Sequence, residues 1–555
     1  MNSFIPSLTW LRSYQGPWLK ADVAAGLTAA AIVIPKAMAY ATIAGLPVQV
    51  GLYTAFVPMI IYVLLGTSNT LSVSSTTTIA ILTGAALGEI AQAQPGTSLM
   101  TATATLGILV GAILIAARVL RLGFVANFIS DPVLTGFKAG IGLVIVVDQL
   151  PKLLGVKIHK EGFFHDVAAI FAKLPDASTP TIAIAVATFV IIIVFEKFVP
   201  RAPAPLVAVG GGVAASILLA LESRGVSLVG AIPGGLPALT LPDQSLVLQL
   251  WPAALGIALM SFTETIAAGR AFVRKGDRRP DAGQELVATG AGNAVGAFFG
   301  AMPSGGGTSQ SNVNLVAGAR TQAAQFVTAL TTLATMLFLA PVMAAIPNAT
   351  LAAVVIAYSV GLISPADIAA IRRVRTLEFR WAIAAFAGVV LLGTLKGILV
   401  AVVLSMASLL MLANNPAVRI LARVPGTKGW RPRTDEHPEY EALPGLLVMR
   451  PEGRIYFGNA SVVGEKLNAA VVAEKPTVLL IDGSAVPGFE YTALNMFVDG
   501  DARLHEQGVE MWLAELNPEG LDLVRRSALG ERLGEARMFR TVEEAVDAYL
   551  KRRAA

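Results

Sequence analysis

Apolar runs of about 20 residues, the length at which a helix crosses a hydrocarbon core, recur from residue 21 to residue 414 with short polar breaks between them. Fourteen windows emerge: 21–43, 48–66, 71–90, 100–117, 124–147, 178–196, 203–220, 249–269, 284–300, 303–318, 322–345, 350–364, 379–395 and 397–414. Two of them open on polar segments, SVSSTTT at 72–78 and SGGGTSQS at 304–311. Hydroxyls and bare backbone at membrane depth are tolerated only when buried in protein or lining a polar cavity. The broken windows are the third and the tenth, seven apart, which divides the chain into two repeats of seven. An odd repeat length inverts the second copy, and paired interrupted segments mark a binding site at the repeat interface.

Beyond residue 414 the pattern changes. Short apolar runs at 446–449, 454–457, 477–482 and 509–513 read as strands, and helical periodicity appears at 460–473, 491–507 and 542–551. Strands alternating with helices predict a soluble α/β domain with helices covering a mixed sheet. The chain thus divides into an interfacial N-terminal segment (1–20), a membrane domain (21–414), a basic linker at the membrane surface (415–440) and a C-terminal domain (441–555). The Trp-bearing N-terminal segment leads into a retained first span, with no cleavage site after a short apolar core.

Composition sharpens this reading. Apolar residues make up 55% and charged residues 14% of the 555, where a soluble chain carries about 25% charge, and mean hydropathy is +0.67. This is a polytopic α-helical membrane protein. Loops after even-numbered windows hold Arg118, Arg121, Lys197, Arg201, the run 270–279, Arg320, Arg372, Arg373, Arg375 and Arg380. Loops after odd-numbered windows are mostly free of Lys and Arg, the exceptions being Lys152, Lys157, Lys160 and Lys173, which are mixed with acids, and the single residues Arg224 and Lys396. The positive-inside rule makes the basic loops cytoplasmic, and an even count then puts both termini inside a cytoplasmic (inner) membrane. The net charge of +5 is orientation rather than a nucleic-acid footprint.

The absence of cysteine excludes disulfides and cysteine-based metal sites, and His159, His165, His437 and His505 form no ligand-spaced cluster. No nucleotide loop or catalytic triad occurs, so the expectation is a transporter, with no cofactor and no enzymatic step. Half-helices whose N-termini face inward present free N–H groups and positive dipole ends to an anion. The substrate positions on the broken segments are Ser74, Ser75, Thr76, Gly306, Gly307, Thr308, Ser309 and Gln310. Gly305, Gly306 and Gly307 admit close approach of substrate to backbone, or else serve helix packing alone. Lys36, deep in the first window, is costly there unless it faces a cavity or partner. On the eighth window Ser261, Glu264, Thr265 and Ala268 share a helical face. Glu264 can exchange a proton or pair with Lys36, and with Thr265 could form an oxygen site for sodium. Asp131 and Asp148 sit at span ends beside Pro132 and Pro151, which sets them apart from the site.

The run IPKAMAYA (34–41), followed by AGLP (44–47) and GLYT (51–54), closely resembles the first-span signature of the sulfate permease family of anion transporters. Residues 303–319 ahead of Arg320 and Thr321 extend the resemblance, and the C-terminal domain resembles a STAS domain, whose soluble relatives are anti-sigma-factor antagonists. The resemblance implies a fourteen-span fold in which a core of spans 1 to 4 and 8 to 11 moves against a gate of spans 5 to 7 and 12 to 14. It also implies a homodimer and places Lys36 and Tyr40 at the substrate. The sequence departs from the family where Lys36 replaces a common Gln and Gln310 replaces a common basic residue, as if the cation had crossed the site. In the STAS-like part, Glu490 and Thr492 take the positions of an Asp and a phosphorylatable Ser; Thr492 is a regulatory candidate, with helix capping as the competing explanation.

The expected function is secondary active transport of a small anion of the sulfate, bicarbonate or dicarboxylate class by alternating access, with proton symport through Glu264. The rivals are a sodium-coupled bicarbonate symporter and an anion-binding sensor signalling through the STAS-like domain. Expected partners are the anion, a coupling proton or sodium, membrane lipid and a second copy of the chain.

Overall fold

The computed structural model describes residues 7–123, 130–159, 162–199, 203–231, 235–274, 277 and 279–554. Residues 124–129 at the start of the fifth predicted window, and the loop residues Lys160, Arg201, Lys275 and Arg278, lie outside these. The chain forms two compact units, Met1–Met406 and Ala407–Ala555.

In the first unit the helices are α1 (Ser7–Arg12), α2 (Trp18–Ile43), α3 (Val48–Leu65), α4 (Thr77–Ala93), α5 (Leu99–Val119), α6 (Asp131–Leu154), α7 (Phe163–Ala172), α8 (Thr179–Phe198), α9 (Ala204–Leu218), α10 (Val247–Ala271), α11 (Ala282–Phe298), α12 (Thr308–Val316), α13 (Ala323–Phe338), α14 (Ala340–Ala344), α15 (Asn348–Val360), α16 (Pro365–Val374) and α17 (Thr376–Leu392); α18 (Thr394–Asn414) leads into the second unit. Among the described residues, seven helices are long and apolar enough to cross a membrane on length and composition alone. Apart from the last, where α18 has 21 residues, the other predicted windows hold shorter or broken helices. The clearest is the tenth, where α12 has nine residues, about 14 Å at 1.5 Å per residue, too little to cross alone. Two-residue strands, β1 (Val73–Ser74) and β2 (Gly305–Gly306), precede α4 and α12 and pair antiparallel, Val73 opposite Gly306 and Ser74 opposite Gly305.

Packing repeats between the two halves. α2 packs on α13 as α10 packs on α5, α3 on α13 as α11 on α5, and α2 on α12 as α10 on α4. These three contacts between the halves thus come in symmetric pairs, the relation expected of an inverted repeat. These eight helices, α2 to α5 and α10 to α13, form one bundle; α6, α8, α9, α15 and α17 form another. The division follows the expected core and gate. Small residues permit the closest crossings: a Cβ on Gly111 would meet the carbonyl oxygen of Gly290 at 2.6 Å, and one on Gly107 the Ala297 Cβ at 2.9 Å.

The second unit is a six-stranded mixed sheet of order β4-β3-β5-β6-β7-β8. Its elements are β3 (Val418–Arg423), β4 (Trp430–Pro432), β5 (Leu446–Pro451), α19 (Ala460–Glu474), β6 (Val478–Asp482), α20 (Tyr491–Glu506), β7 (Glu510–Ala514), α21 (Pro518–Arg525), α22 (Ala528–Leu533), β8 (Met538–Phe539) and α23 (Val542–Ala554). Side-chain alternation sorts the strands between two faces. Leu447, Met449, Leu479, Ile481, Met511 and Leu513 pack under α19 to α22. Leu446, Val448, Leu480 and Trp512 pack under α23.

Two expectations need correction here. The stretch read as a basic linker carries β3 and β4, which pair antiparallel with each other while β3 also pairs with β5; their outward Arg residues disguised the edge strand β4 and its neighbour β3 as a surface linker, basic edges being one way proteins block further pairing. The strand predicted at 454–457 is a loop whose only ladder contact is an isolated bridge from Ile455 to Phe489.

Candidate functional site

The crossing of β1 and β2 is what aims α4 and α12. Thr76 caps α4, its side-chain oxygen accepting from the Ile79 N–H at 3.4 Å, whereas Gly307 at the N-cap of α12 gives no side-chain cap. The N–H groups at the start of α12 thus lack a side-chain acceptor from their cap residue. Both N-termini open on one cavity of about 310 Å³, roughly ten water volumes at about 30 Å³ each, sufficient for a small oxyanion and some of its water.

The first bundle lines this cavity with Lys36 and Tyr40 from α2, residues 75–78, Thr263 and Glu264 from α10, and residues 306–310. The second contributes Leu134 and Lys138 from α6, Tyr358 from α15, and Gly361 and Leu362. Of the predicted substrate positions, Lys36, Tyr40, Ser75, Thr76, Gly306, Gly307, Thr308, Ser309 and Gln310 therefore meet at one place. Ser74 stands just behind, its Oγ accepting from Gln310 Nε2 at 2.9 Å. The Gln310 carbonyl Oε1 is buried without a partner.

Lys36 and Glu264 do not pair. Lys36, 3% exposed, holds its ammonium 3.8 Å from the centroid of the Tyr358 ring, a cation–π contact between the two bundles. Glu264 instead accepts a 2.7 Å hydrogen bond from Thr76 Oγ1. Its carboxylate is tied to the cap of α4, one of the two helix ends facing the cavity.

Thr265 departs from the role assigned to it as a sodium ligand. Its hydroxyl donates to the Ser261 carbonyl at 2.6 Å and accepts from the Gly306 N–H at 2.9 Å, so it pins β2 to α10. It is absent from the residues lining the cavity. The glycines have a packing explanation as well: a Cβ on Gly306 would lie 2.6 Å from the Thr265 Cα, and one on Gly305 3.1 Å from the Ser261 Cα. Asn293 of α11 completes the bracing, accepting from the Ser304 N–H at 2.7 Å and donating to its carbonyl at 3.2 Å. On the other strand, Glu285 of α11 accepts from the Thr67 N–H at 2.9 Å and from Tyr62 Oη at 2.8 Å, fixing the approach to β1.

Sequence reasoning missed Lys138 and Tyr358. For Lys138 the signal existed, since a lone Lys inside an apolar window is the same cue that singled out Lys36. Tyr358 gave none, because nothing in its sequence neighbourhood separates a cavity-facing Tyr from a lipid-facing one. In the second unit, Glu490 is the N-cap of α20 and makes no side-chain cap bond, while Thr492 lies exposed in the first turn. Capping therefore does not account for Thr492. Among the described residues no group of His, Asp and Glu could hold a metal ion.

Comparison with known proteins agrees with this architecture. The profile of the Sulfate permease family matches residues 19–385, and that of the STAS domain matches residues 437–545. A protein named "Probable sulfate transporter" from Mycobacterium tuberculosis is 33% identical over 552 residues, covering 99% of this chain and 98% of the relative. Sulfate transporter 1.3 of Arabidopsis thaliana is 28% identical over 579 residues, covering 99% and 87%. The fold is similar to that of murine Solute Carrier 26 family member A9, an anion transporter, with a TM-score of 0.90 at 22% identity, covering 100% of this chain and 94% of that one. The transmembrane domain of the cyanobacterial bicarbonate transporter BicA gives a TM-score of 0.61 at 26% identity, covering 70% of this chain and 98% of that one. The family profile over residues 19–385, the STAS domain that follows it and a relative 33% identical over 99% of the chain show that this chain belongs to the sulfate permease family of anion transporters.

Proposed function

We propose that this chain is a proton-coupled symporter of a small oxyanion, sulfate in first place, working by alternating access in the cytoplasmic membrane with both termini inside and as a homodimer. The observation that carries the coupling is the bond between Glu264 and the Thr76 cap of α4. A proton on Glu264 alters the acceptor that Thr76 addresses, and Thr76 stands at the helix end expected to face the anion. Substrate and proton thereby share one residue. Sulfate is favoured by the names of the 33% and 28% identical relatives. The sodium reading is weakened because the Thr265 hydroxyl is already committed on both sides.

The test is uptake of labelled sulfate into proteoliposomes under an imposed pH gradient, with a sodium gradient as the parallel arm. Glu264→Gln is expected to retain anion exchange and to lose accumulation driven by the pH gradient. Proton-driven accumulation equal to wild type in Glu264→Gln would remove the carboxylate from coupling, and accumulation that follows sodium alone would replace the proton. Binding without flux in the wild type would favour a sensor.

A further inference from the structure

We propose that Lys138 of α6 is the specificity residue that makes this cavity a site for divalent anions, supplying from the second bundle the positive charge that complements Lys36 on the first. The proposal rests on the transport reading above and concerns the same cavity. Its grounds are geometric. Lys138 lines the cavity together with Lys36 and Glu264; its charge acts on Glu264 across the cavity, without a contact short enough to count as an ion pair or a hydrogen bond. Its helix packs with α15 and α17, whereas every other charged residue lining the cavity, Lys36 and Glu264, belongs to the first bundle.

Charge counting then sets the valence. Lys36, Lys138 and Glu264 are the charged side chains lining the cavity, with Tyr40 and Tyr358 as the neutral titratable ones; Glu196 of α8 is not among the lining residues, but its charge acts on Lys36 and Tyr358 from behind the wall in every state counted here. Two ammonium groups against one carboxylate leave one positive charge; with the proton on Glu264 they leave two. An ion held in a poorly solvated site is costly unless matched, so the proton-loaded cavity matches a dianion and the deprotonated one a monoanion. Without Lys138 the count falls by one in each state. A dianion is then undercompensated even when Glu264 is protonated, whereas a monoanion still finds a matched state.

The position on the second bundle adds a mechanical consequence. A dianion held by Lys36 and the helix ends on one side and by Lys138 on the other bridges the two bodies, so that binding and closure favour one another. A monoanion neutralises Lys36 and the helix ends alone and bridges less well.

The experiment is a competition panel on full-length protein in proteoliposomes, with sulfate as the dianion and bicarbonate and nitrate as monoanions, in wild type, Lys138→Gln and Lys138→Arg. The expected result is a loss of at least about tenfold in apparent sulfate affinity for Lys138→Gln, with monoanion affinity changed by less than about threefold and near-wild-type values in Lys138→Arg. Equal losses for sulfate and monoanions, or none for either, would overturn the proposal, as would failure of Arg to restore sulfate. If Lys138→Gln does not reach the membrane, Lys138→Met with a normal thermal melt in detergent provides the same comparison. Failure of the underlying reading looks different: the wild type would then transport none of the panel.

Discussion

Lys36, Glu264 and Gly306 show how a residue's neighbours decide among roles that its type leaves open. Lys36 belongs to the cavity wall and leans on Tyr358, and Glu264 answers to Thr76. The two can therefore be varied separately, which a buried ion pair would forbid because removing one partner strands the other. Thr308 opens α12 at the cavity, so Thr308→Leu is expected to abolish uptake while the protein still reaches the membrane with a normal melt; wild-type flux in that variant would take α12 out of the site. Gly306→Val tests a different cause, since its Cβ would press on the Thr265 backbone 2.6 Å away. The expected outcome is a destabilised protein, with overpacking costing about 1–3 kcal/mol and a lowered melting temperature. An unchanged melt with lost binding would restore substrate approach as the reason for the glycine.

At the scale of elements, a strand pair and a surface ion pair illustrate how much each contact decides. In the C-terminal sheet, Arg552 of α23 grips Glu510 at the start of β7 through both terminal nitrogens, at 2.7 and 2.8 Å. These charge-assisted bonds hold the Glu510 carboxyl below its usual range. A depressed carboxylate stabilises the fold above its unfolded value, near pH 4.3, and that contribution is lost as pH falls through the folded value. The side chains are 32% and 61% exposed, so screening limits the pair to about 0.5–1 kcal/mol. Arg552→Gln is expected to lower stability by that amount at neutral pH, with the difference from wild type shrinking as pH falls below the unfolded carboxylate value near 4.3, read through the fluorescence of Trp512, whose indole Nε1 donates to Glu510. A difference that does not shrink on acidification would assign the effect to packing instead. Elements of this kind were partly legible in the sequence. Short continuous apolar runs revealed β5, β6 and β7, because each is buried on both faces, whereas β3 and β4 carry exposed Arg and escaped. The broken segments stood out through hydroxyls and glycines at membrane depth. Their partners did not: Asn293 bracing Ser304 and the commitment of Thr265 depend on contacts across the fold that no local pattern encodes.

For the whole molecule, the division into two units assigns separate work to each. The candidate substrate cavity lies entirely within Met1–Met406, so truncation at Asn414 is expected to lower expression, assembly or rate while leaving the ranking of competing anions unchanged. A reordered ranking in proteoliposomes would contradict that division. Within the first unit, the pairing of β1 with β2 joins residues 73–74 to residues 305–306 and has a consequence for biogenesis. A ribosome delivers β1 long before β2 exists, and a strand in the membrane interior with unpaired N–H and C=O groups costs several kcal/mol per group. The first repeat must therefore wait, sheltered by the insertion machinery or held at a polar interface, for more than two hundred residues of further synthesis before its own third segment can settle. A nascent chain interrupted ahead of Gly305 carries an open hydrogen-bonding edge at β1.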